Sequence, residues 1–252
     1  MMRALRGRAR AVASRFWRPF RQALEDPNAP LSLDMDRDSG TLLVAFGGMQ
    51  GQLGMPPFEF FKASGDIPVK RLFVRDLRQA WYHRGLPGHG DRLEEVAAWM
   101  GELVAANGVE RLVMAGNSAG GYAALLFGAL LEADVVLGFA PQTAIDLAVL
   151  AAMGDHRWDE QLRALVEDGV IEQRFADLSL ALPRARSGDT RFELYFDETF
   201  DTDRQHAERL RSVPGVELHR LRGGAHGIAR DMRESGELDR VLQRALLPGR
   251  QP

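Results

Sequence analysis

The 252-residue sequence has no cysteine, no long apolar run and little net charge. Without cysteine there is no disulfide, no thiolate nucleophile and no thiolate metal ligand. No continuous apolar stretch approaches the roughly 20 residues that a membrane-spanning helix needs. A formal net charge of -3 gives no reason to expect nucleic acid as a partner. We expect a globular, cytoplasmic protein whose chemistry rests on oxygen and nitrogen groups.

A nucleotide fingerprint and internal repeats are also missing. The paired glycines Gly47-Gly48 and Gly120-Gly121 do not have the Gly-x-Gly-x-x-Gly spacing of a dinucleotide site. No acidic residue is placed to bind a ribose. The sequence therefore gives no indication of a nucleotide cofactor.

Arginine is concentrated at the start of the chain, where seven arginines precede the first acidic residue, Glu25. No continuous apolar segment follows these charges, so we do not expect a secretory signal. We predict that residues 1–27 form an arginine-rich arm. The interpretation that we favour is a helix packed on its own domain. The alternative is an amphipathic arm that binds an acidic membrane surface or a partner.

Beyond the arm, short apolar segments alternate with helical patterns, and we expect residues 28–252 to form one domain. Strands are predicted over 31–36, 41–46, 69–76, 111–115, 134–140, 191–197 and 216–221. Helices are predicted over 92–106, 120–131, 204–213 and 237–247. Connections of this length between strands favour an α/β fold whose mostly parallel sheet is covered by helices on both faces.

Two connections depart from this pattern. The turn-like residues 37–40 predict an antiparallel hairpin between the first two strands. About fifty residues separate Pro141 from Arg191, with helical periodicity at 144–153 and 158–168. An insertion after the carboxyl end of a strand lies over the ligand crevice of an α/β sheet. Residues 142–190 are therefore a candidate lid, and an ordinary crossover with peripheral helices is the alternative.

The most informative motif is Gly116-Asn117-Ser118-Ala119-Gly120-Gly121, between an apolar strand and a helical stretch. A Gly-x-Ser-x-Gly in this position is typical of a nucleophile elbow, a sharp turn that exposes the serine hydroxyl. Small neighbours allow the strand and the helix to close around it. Ser118 is therefore the candidate nucleophile.

A serine nucleophile needs a base that is oriented by an acid. His226, in Gly223-Gly224-Ala225-His226-Gly227, directly follows the last predicted strand and is the candidate base; His206, on a predicted helix, is expected at the surface. The acid is sought after the strand that ends at Phe196. Asp201 is preferred, with Asp197 as an alternative and Asp203 interpreted chiefly as a helix N-cap.

An oxyanion hole needs two backbone N–H donors aimed at one oxygen. The amide of Ala119, directly after the nucleophile, is the first candidate. The second should come from the glycine-rich loop after the 41–46 strand, where Gly48 is preferred to Met49 or Gly47.

These motifs together resemble those of the α/β-hydrolase superfamily, over most of the chain from about Leu31 to Leu247. The resemblance implies an eight-stranded sheet, a Ser-His-acid triad, an acyl-enzyme intermediate and no metal or other cofactor. Phe46 stands where many relatives carry histidine, and residues 76–83 replace their short glycine-rich loop.

The loop at residues 75–85 follows a strand end and is dense in groups that could recognise a substrate. We predict that Trp81, Tyr82 and His83, with Met49 beside the oxyanion loop, contact the substrate; the alternative is that the aromatic rings pack in the core.

The activity expected is cleavage of an ester or thioester of a small molecule or an acyl carrier. Acyl transfer, amide cleavage and a non-catalytic binding protein are the alternatives.

Overall fold

The computed structural model describes Asp26 and residues 28–49, 60–185 and 189–247. The predicted N-terminal arm therefore lies outside the described residues, apart from Asp26. These residues contain seven strands, and each overlaps a strand predicted from the sequence. They are β1 (Leu31–Asp34), β2 (Thr41–Phe46), β3 (Lys70–Val74), β4 (Arg111–Asn117), β5 (Val135–Phe139), β6 (Arg191–Asp197) and β7 (Val216–Leu221).

The strands form one sheet in the order β1-β3-β2-β4-β5-β6-β7, in which β2 to β7 run parallel and β1 runs antiparallel to β3. The predicted hairpin between the first two strands is wrong, because β1 pairs with β3. Both edges of the apolar strand β2 are occupied by parallel neighbours. Across the β1–β3 pair, Asp34 Oδ2 lies 2.5 Å from Arg71 Nη2, an ion pair that fixes this register.

Helices cover both faces of the sheet, as predicted. The eight α-helices of the described residues are α1 (Leu93–Ala106), α2 (Ala119–Leu130), α3 (Leu147–Met153), α4 (Asp159–Glu167), α5 (Leu178–Ala185), α6 (Asp201–Glu208), α7 (Ile228–Glu234) and α8 (Glu237–Leu246). Alternate residues of a strand point to opposite faces. Leu42, Val44 and Phe46 accordingly enter the core layer of α1 and α2, whereas Leu43 and Ala45 enter that of α7 and α8.

The long segment between β5 and β6 contains α3, α4, a short 3₁₀ helix at Gln173–Phe175 and α5. Side-chain hydrogen bonds join it to the rest of the domain. Arg84 Nη2 contacts Asp168 Oδ2 at 2.6 Å, and Arg209 Nη2 contacts Asp177 Oδ2 at 2.6 Å. The segment is therefore attached to the loop after β3 and to the end of α6.

The parallel direction of β2 and of β4 to β7 brings the residues that follow them to one edge of the sheet. Ser118 follows β4, Gln142 comes shortly after β5, and the loop with His226 follows β7. These residues, which are far apart in the sequence, therefore lie at the same edge of the sheet.

Candidate active site

Ser118 occupies the turn between β4 and α2 in a backbone conformation that side chains rarely adopt, with φ 54° and ψ -118°. The turn is held by hydrogen bonds on either side: the amide of Ser118 donates to Phe139 O at 2.9 Å, and the amide of Gln142 donates to Ser118 O at 3.1 Å. A non-glycine residue in this region stores roughly 1–3 kcal/mol of strain, which the surrounding structure must hold. The elbow predicted from the sequence motif has this geometry.

The glycines around Ser118 are required by close backbone contacts. A Cβ on Gly116 would lie 2.0 Å from Gly120 O, and one on Gly120 would lie 2.3 Å from Phe46 O. Since neither contact is sterically allowed, β4, α2 and the loop after β2 can approach only without side chains at these positions.

The side chains of Ser118, His226 and Asp203 form a continuous chain of hydrogen bonds. His226 Nε2 lies 3.0 Å from Ser118 Oγ, and His226 Nδ1 lies 3.0 and 2.9 Å from the two carboxylate oxygens of Asp203. The Asp203 side chain is only 1% exposed, whereas the imidazole is 23% exposed. A buried carboxylate thus orients an imidazole that is accessible beside the serine.

The prediction of Asp201 as the partner of His226 is corrected by this geometry. Helix α6 begins at Asp201, three residues before the predicted start, so Asp203 lies inside the first turn and is not a cap. Asp201 is 79% exposed and contacts Arg204 at 2.6 Å. The position of a helix start to within two residues decides which carboxylate faces inward, and the sequence does not fix it.

Asp197, the other alternative, positions the loop that carries His226. Its carboxylate accepts hydrogen bonds from the amide of Ala225 at 3.0 Å and from the amide and hydroxyl of Thr199 at 2.9 and 2.7 Å. Although burial opposes the charged form, these bonds lower the pKa of Asp197.

Trp81 and Tyr82, predicted to contact the substrate, are instead fully buried. Trp81 Nε1 donates to Gln142 Oε1 at 2.6 Å, and Tyr82 Oη donates to Gly47 O at 2.9 Å. The two partners lie beside the serine turn and in the loop after β2, so Trp81 and Tyr82 support the candidate site from the interior.

His83 is also buried, 3% exposed, and its two ring nitrogens are both occupied. Nδ1 accepts from the amide of Glu172 at 3.0 Å, so Nε2 carries the proton and donates to Tyr122 Oη at 2.8 Å. Burial lowers the pKa of His83 to about 3. His83 is thus a neutral, buried imidazole with both ring nitrogens bonded inside the protein, an arrangement that gives no support to its predicted contact with substrate.

The loop that holds these three residues is organised by Asp76. Its carboxylate accepts hydrogen bonds from the amides of Ala80 at 2.6 Å and Tyr82 at 2.9 Å. Trp81 and Tyr82 have positive φ angles of 51° and 65°, and the Asp76 bonds hold the chain in this compact path. Burial raises the pKa of Asp76 despite these bonds.

The predicted oxyanion donors, Gly48 and Ala119, belong to two segments that contact each other where Gly120 packs against Phe46 O. Gly48 and Met49 come two and three residues after the end of β2, and the intervening Gly47 donates its amide to Val74 O at 2.8 Å. Ala119 is the first residue of α2 and is 1% exposed. Because Gly120 packs against Phe46 O, the two segments are neighbours; the donor roles of Gly48 and Ala119 and the substrate contact of Met49 stay predictions.

Arg157 lies close to both Asp203 and His226. Its Nη1 lies 3.5 Å from Asp203 Oδ1 and 3.5 Å from His226 Nδ1. His206, expected at the surface, is completely buried behind it and contacts Asp155 Oδ2 through Nε2 at 3.0 Å. No motif marks these residues, since their proximity depends on how the β5–β6 segment folds back.

Within the described ranges, no group of three or more histidine, aspartate and glutamate side chains is arranged to hold a metal ion. None of the described helices has the length and apolar character that crossing a bilayer requires.

Comparisons with known proteins show likeness in structure. No protein-family model matches the chain, and no curated protein matches its sequence. The capsule O-acetyltransferase of Neisseria meningitidis serogroup A is similar at a TM-score of 0.62 and 14% identity, over 84% of this chain and 90% of that one. A thermophilic esterase from Thermogutta terrifontis, solved with butyrate bound, is similar at a TM-score of 0.55 and 18% identity, over 88% and 91%.

A third similar structure is an alpha/beta hydrolase enzyme from the metagenome of lagoon sediments of Mar Chica, Morocco. Its TM-score is 0.54 at 16% identity, and the match covers 85% of this chain and 93% of that one. At such identities the likeness concerns the path of the backbone.

Proposed function

We propose, from the α/β-hydrolase fold that the chain adopts, that it is a serine enzyme acting on carboxylic esters through an acyl-enzyme intermediate. The observation that carries the proposal is the hydrogen-bond chain from Ser118 Oγ through His226 to Asp203. Hydrogen-bond distances at both nitrogens of one imidazole, with a hydroxyl at one and a buried carboxylate at the other, are those of a nucleophile, a base and its orienting acid.

In the acylation step, Ser118 Oγ attacks the ester carbonyl while His226 Nε2 takes the hydroxyl proton. Asp203 holds the imidazole with Nδ1 protonated and stabilises the imidazolium that forms. The carbonyl oxygen becomes an oxyanion, for which the amides of Ala119 and Gly48 are the proposed donors. When the intermediate collapses, the alkoxide takes the proton from His226 and leaves as an alcohol.

The acyl group is then bound to Ser118 Oγ, and the second half of the reaction removes it. A water molecule gives its proton to His226 and attacks the acyl carbonyl, which releases a carboxylic acid and restores the serine hydroxyl. Esterase neighbours such as the Thermogutta terrifontis enzyme favour this outcome.

Acyl transfer to an alcohol is the second candidate function. It is favoured by the likeness to the capsule O-acetyltransferase, whose TM-score of 0.62 exceeds those of the esterases described above. The first half-reaction is the same, and the acceptor hydroxyl takes the place of water in the second. A carbohydrate hydroxyl is then the acceptor to test first.

Labelling with a fluorophosphonate probe tests the shared half of both candidates. We expect wild type to be labelled and Ser118→Ala not to be, with His226→Ala labelled at least about a hundredfold more slowly. Asp201→Asn is the matched control, because the Asp201 side chain is exposed and pairs with Arg204. A folded wild type that neither labels nor turns over p-nitrophenyl acetate would contradict the proposal and favour a binding protein of the same fold.

Partition of the acyl group separates hydrolysis from transfer. The enzyme is given p-nitrophenyl acetate with and without an oligosaccharide acceptor, and acetate and acetylated sugar are both measured. Free acetate at an unchanged rate indicates hydrolysis, whereas acetylated sugar at the expense of acetate indicates transfer.

A further inference from the structure

Arg157 is fixed in one orientation by a neighbouring carboxylate. Its Nε and Nη2 each donate to the carboxylate of Asp155 at 2.8 Å, a two-pronged ion pair that uses one side of the guanidinium. The remaining Nη1 therefore points to Asp203 Oδ1 and His226 Nδ1, both at 3.5 Å. A planar guanidinium held at one side in this way presents its other side at a defined position.

Asp155 is itself held from the opposite direction. Its side chain is 2% exposed, and Oδ2 accepts a hydrogen bond from His206 Nε2 at 3.0 Å. His206 Nδ1 accepts from the amide of Thr143 at 3.0 Å, so Nε2 is the protonated nitrogen of a neutral ring. Although burial opposes the charged form, hydrogen bonds from Arg157 and His206 lower the pKa of Asp155.

The charges of this cluster explain why an arginine is needed. Asp155 and Asp203 are two carboxylates that are each almost completely buried, and Arg157 is the cation that lies between them. Two buried negative charges without a cation would favour uptake of a proton. Burial opposes the charge of Arg157 as well, but the bonds and charges of Asp155 and Asp203 raise its pKa.

We propose that Arg157 is a positioning residue of the active site, which balances the charge of the Asp203 carboxylate and keeps it aligned with His226. The inference rests on the proposed function, since it assigns Arg157 to the triad acid. It gives the β5–β6 segment a defined part in the chemistry, because that segment supplies both Arg157 and Asp155.

The test uses substitutions at Arg157 and Asp155 that change the charge of the cluster in opposite directions. Among the described residues, the charged groups in contact with the His226 ring are Asp203 on α6 and Arg157 before α4, with Asp155 and His206 behind them. Two further carboxylates lie at the loop that carries His226: Asp197 at the end of β6, which accepts from the amide of Ala225, and Asp231 on α7, which lies against Gly224. Arg157→Gln leaves two carboxylates uncompensated, so the cluster binds a proton more readily. The acid limb of the kcat/KM profile is the part in which activity falls as the pH is lowered. It should move to higher pH by about one unit, as expected when a unit charge 3.5 Å away is removed from a partly solvated site.

Asp155→Asn removes a negative charge instead, and its acid limb should move to lower pH. Both variants should lower kcat, Arg157→Gln by roughly tenfold, because alignment of the acid is weakened. Arg157→Lys keeps the charge without the two-pronged bond, so its acid limb should stay near that of wild type while kcat falls.

Arg209→Gln is the matched control. Arg209 is 24% exposed against 30% for Arg157, pairs with the carboxylate of Asp177, and lies at the end of the helix that carries Asp203. We expect its pH profile to match that of wild type even if the protein is less stable.

A readout that does not depend on turnover completes the design. The downfield NMR signal of the proton on His226 Nδ1 reports its bond to Asp203, and it is assigned by its loss in His226→Gln. Arg157→Gln should shift or broaden this signal at neutral pH, and Arg209→Gln should leave it unchanged.

The inference is overturned if wild type is labelled by the fluorophosphonate while Arg157→Gln and Asp155→Asn keep the wild-type acid limb and NMR signal. It is likewise overturned if the acid limbs of Arg157→Gln and Asp155→Asn move in the same direction. Failure of wild type to label contradicts the proposed function instead, and the NMR comparison then still tests the contact of Arg157 with the Asp203–His226 pair.

Discussion

The hydroxyl of Tyr82 donates a 2.9 Å hydrogen bond to the carbonyl of Gly47, one residue before the proposed oxyanion donor Gly48. A second carbonyl, Val74 O, lies 3.3 Å from the same hydroxyl. The ring is completely buried and meets Phe46 edge-on, with ring centres 5.5 Å apart. A buried tyrosine thus determines where the loop after β2 lies.

Replacement of this hydroxyl should affect both stability and activity. Tyr82→Phe removes a bond to Gly47 O in a buried place, which should lower the free energy of unfolding by about 1–2 kcal/mol. The loop then loses its anchor, so kcat for p-nitrophenyl acetate should fall by roughly tenfold. Urea unfolding and steady-state kinetics measure the two effects.

Tyr122→Phe is the matched control for Tyr82→Phe. Tyr122 is also completely buried, and its hydroxyl contacts Phe175 O and His83 Nε2, both at 2.8 Å, rather than the oxyanion loop. A similar loss of stability without the loss of kcat is expected. Equal kinetic losses in the two variants would contradict the role assigned to Tyr82.

The identity of the triad acid is tested by two aspartates of the same helix turn. Asp203→Asn should lower kcat by roughly 10⁴-fold, because the amide does not hold the imidazole in the required tautomer. Asp201→Asn should retain wild-type turnover, since the Asp201 side chain is 79% exposed and bonds only Arg204 among the contacts described. A large loss of turnover in Asp201→Asn, with Asp203→Asn near wild type, would identify Asp201 as the acid, as the sequence favoured.

Backbone strain at the nucleophile should be visible as stability. Ser118→Gly relieves the positive φ angle of 54°, whereas Ser118→Ala keeps a side chain in the same conformation. We expect Ser118→Gly to be more stable than Ser118→Ala by about 1 kcal/mol in urea unfolding, with both variants inactive. Equal midpoints would mean that the elbow is not strained.

The buried His83 should make the protein sensitive to acid. Its pKa of about 3 in the folded protein lies below the ordinary value of 6.5, so the unfolded chain takes up a proton that the folded protein excludes. Its contribution to stability is complete above pH 6.5 and is lost as the pH falls toward 3, at about 1.4 kcal/mol per pH unit.

His83→Gln tests this dependence by urea unfolding at pH 7 and pH 5. Between pH 7 and pH 5 the free energy of unfolding should fall in both proteins, but by about 2 kcal/mol less in the variant. The difference is the part that comes from protonation of His83 in the unfolded chain. If the free energy of unfolding of His83→Gln depends on pH as in wild type, His83 is not the source of the acid sensitivity.

Local patterns were sufficient for the strands and for the serine turn, because apolar periodicity and steric limits act on neighbouring residues. The pairing of β1 was not predictable in this way: a short turn favours a hairpin, but the Asp34–Arg71 ion pair and the two parallel neighbours of β2 decide the order. Strand order depends on contacts between distant segments, which no local pattern encodes.

The site was predicted less completely for the same reason. Ser118 and His226 are marked by the glycines that their turns require. The acid is decided by where α6 begins, and Arg157 is placed by the fold of the β5–β6 segment. The substrate contact predicted for Trp81 and Tyr82 gave way to burial against Gln142 and Gly47, two residues to which no sequence pattern links them.

The two ends of the described sheet have a consequence for association between molecules. One end is β1, only four residues long, and the other is β7, which carries Glu217, His219 and Arg220. Short strands and charged side chains at a sheet edge disfavour the addition of a strand from another molecule. The sheet is in this respect protected against aggregation, although every strand between its ends is rich in the apolar residues that promote it.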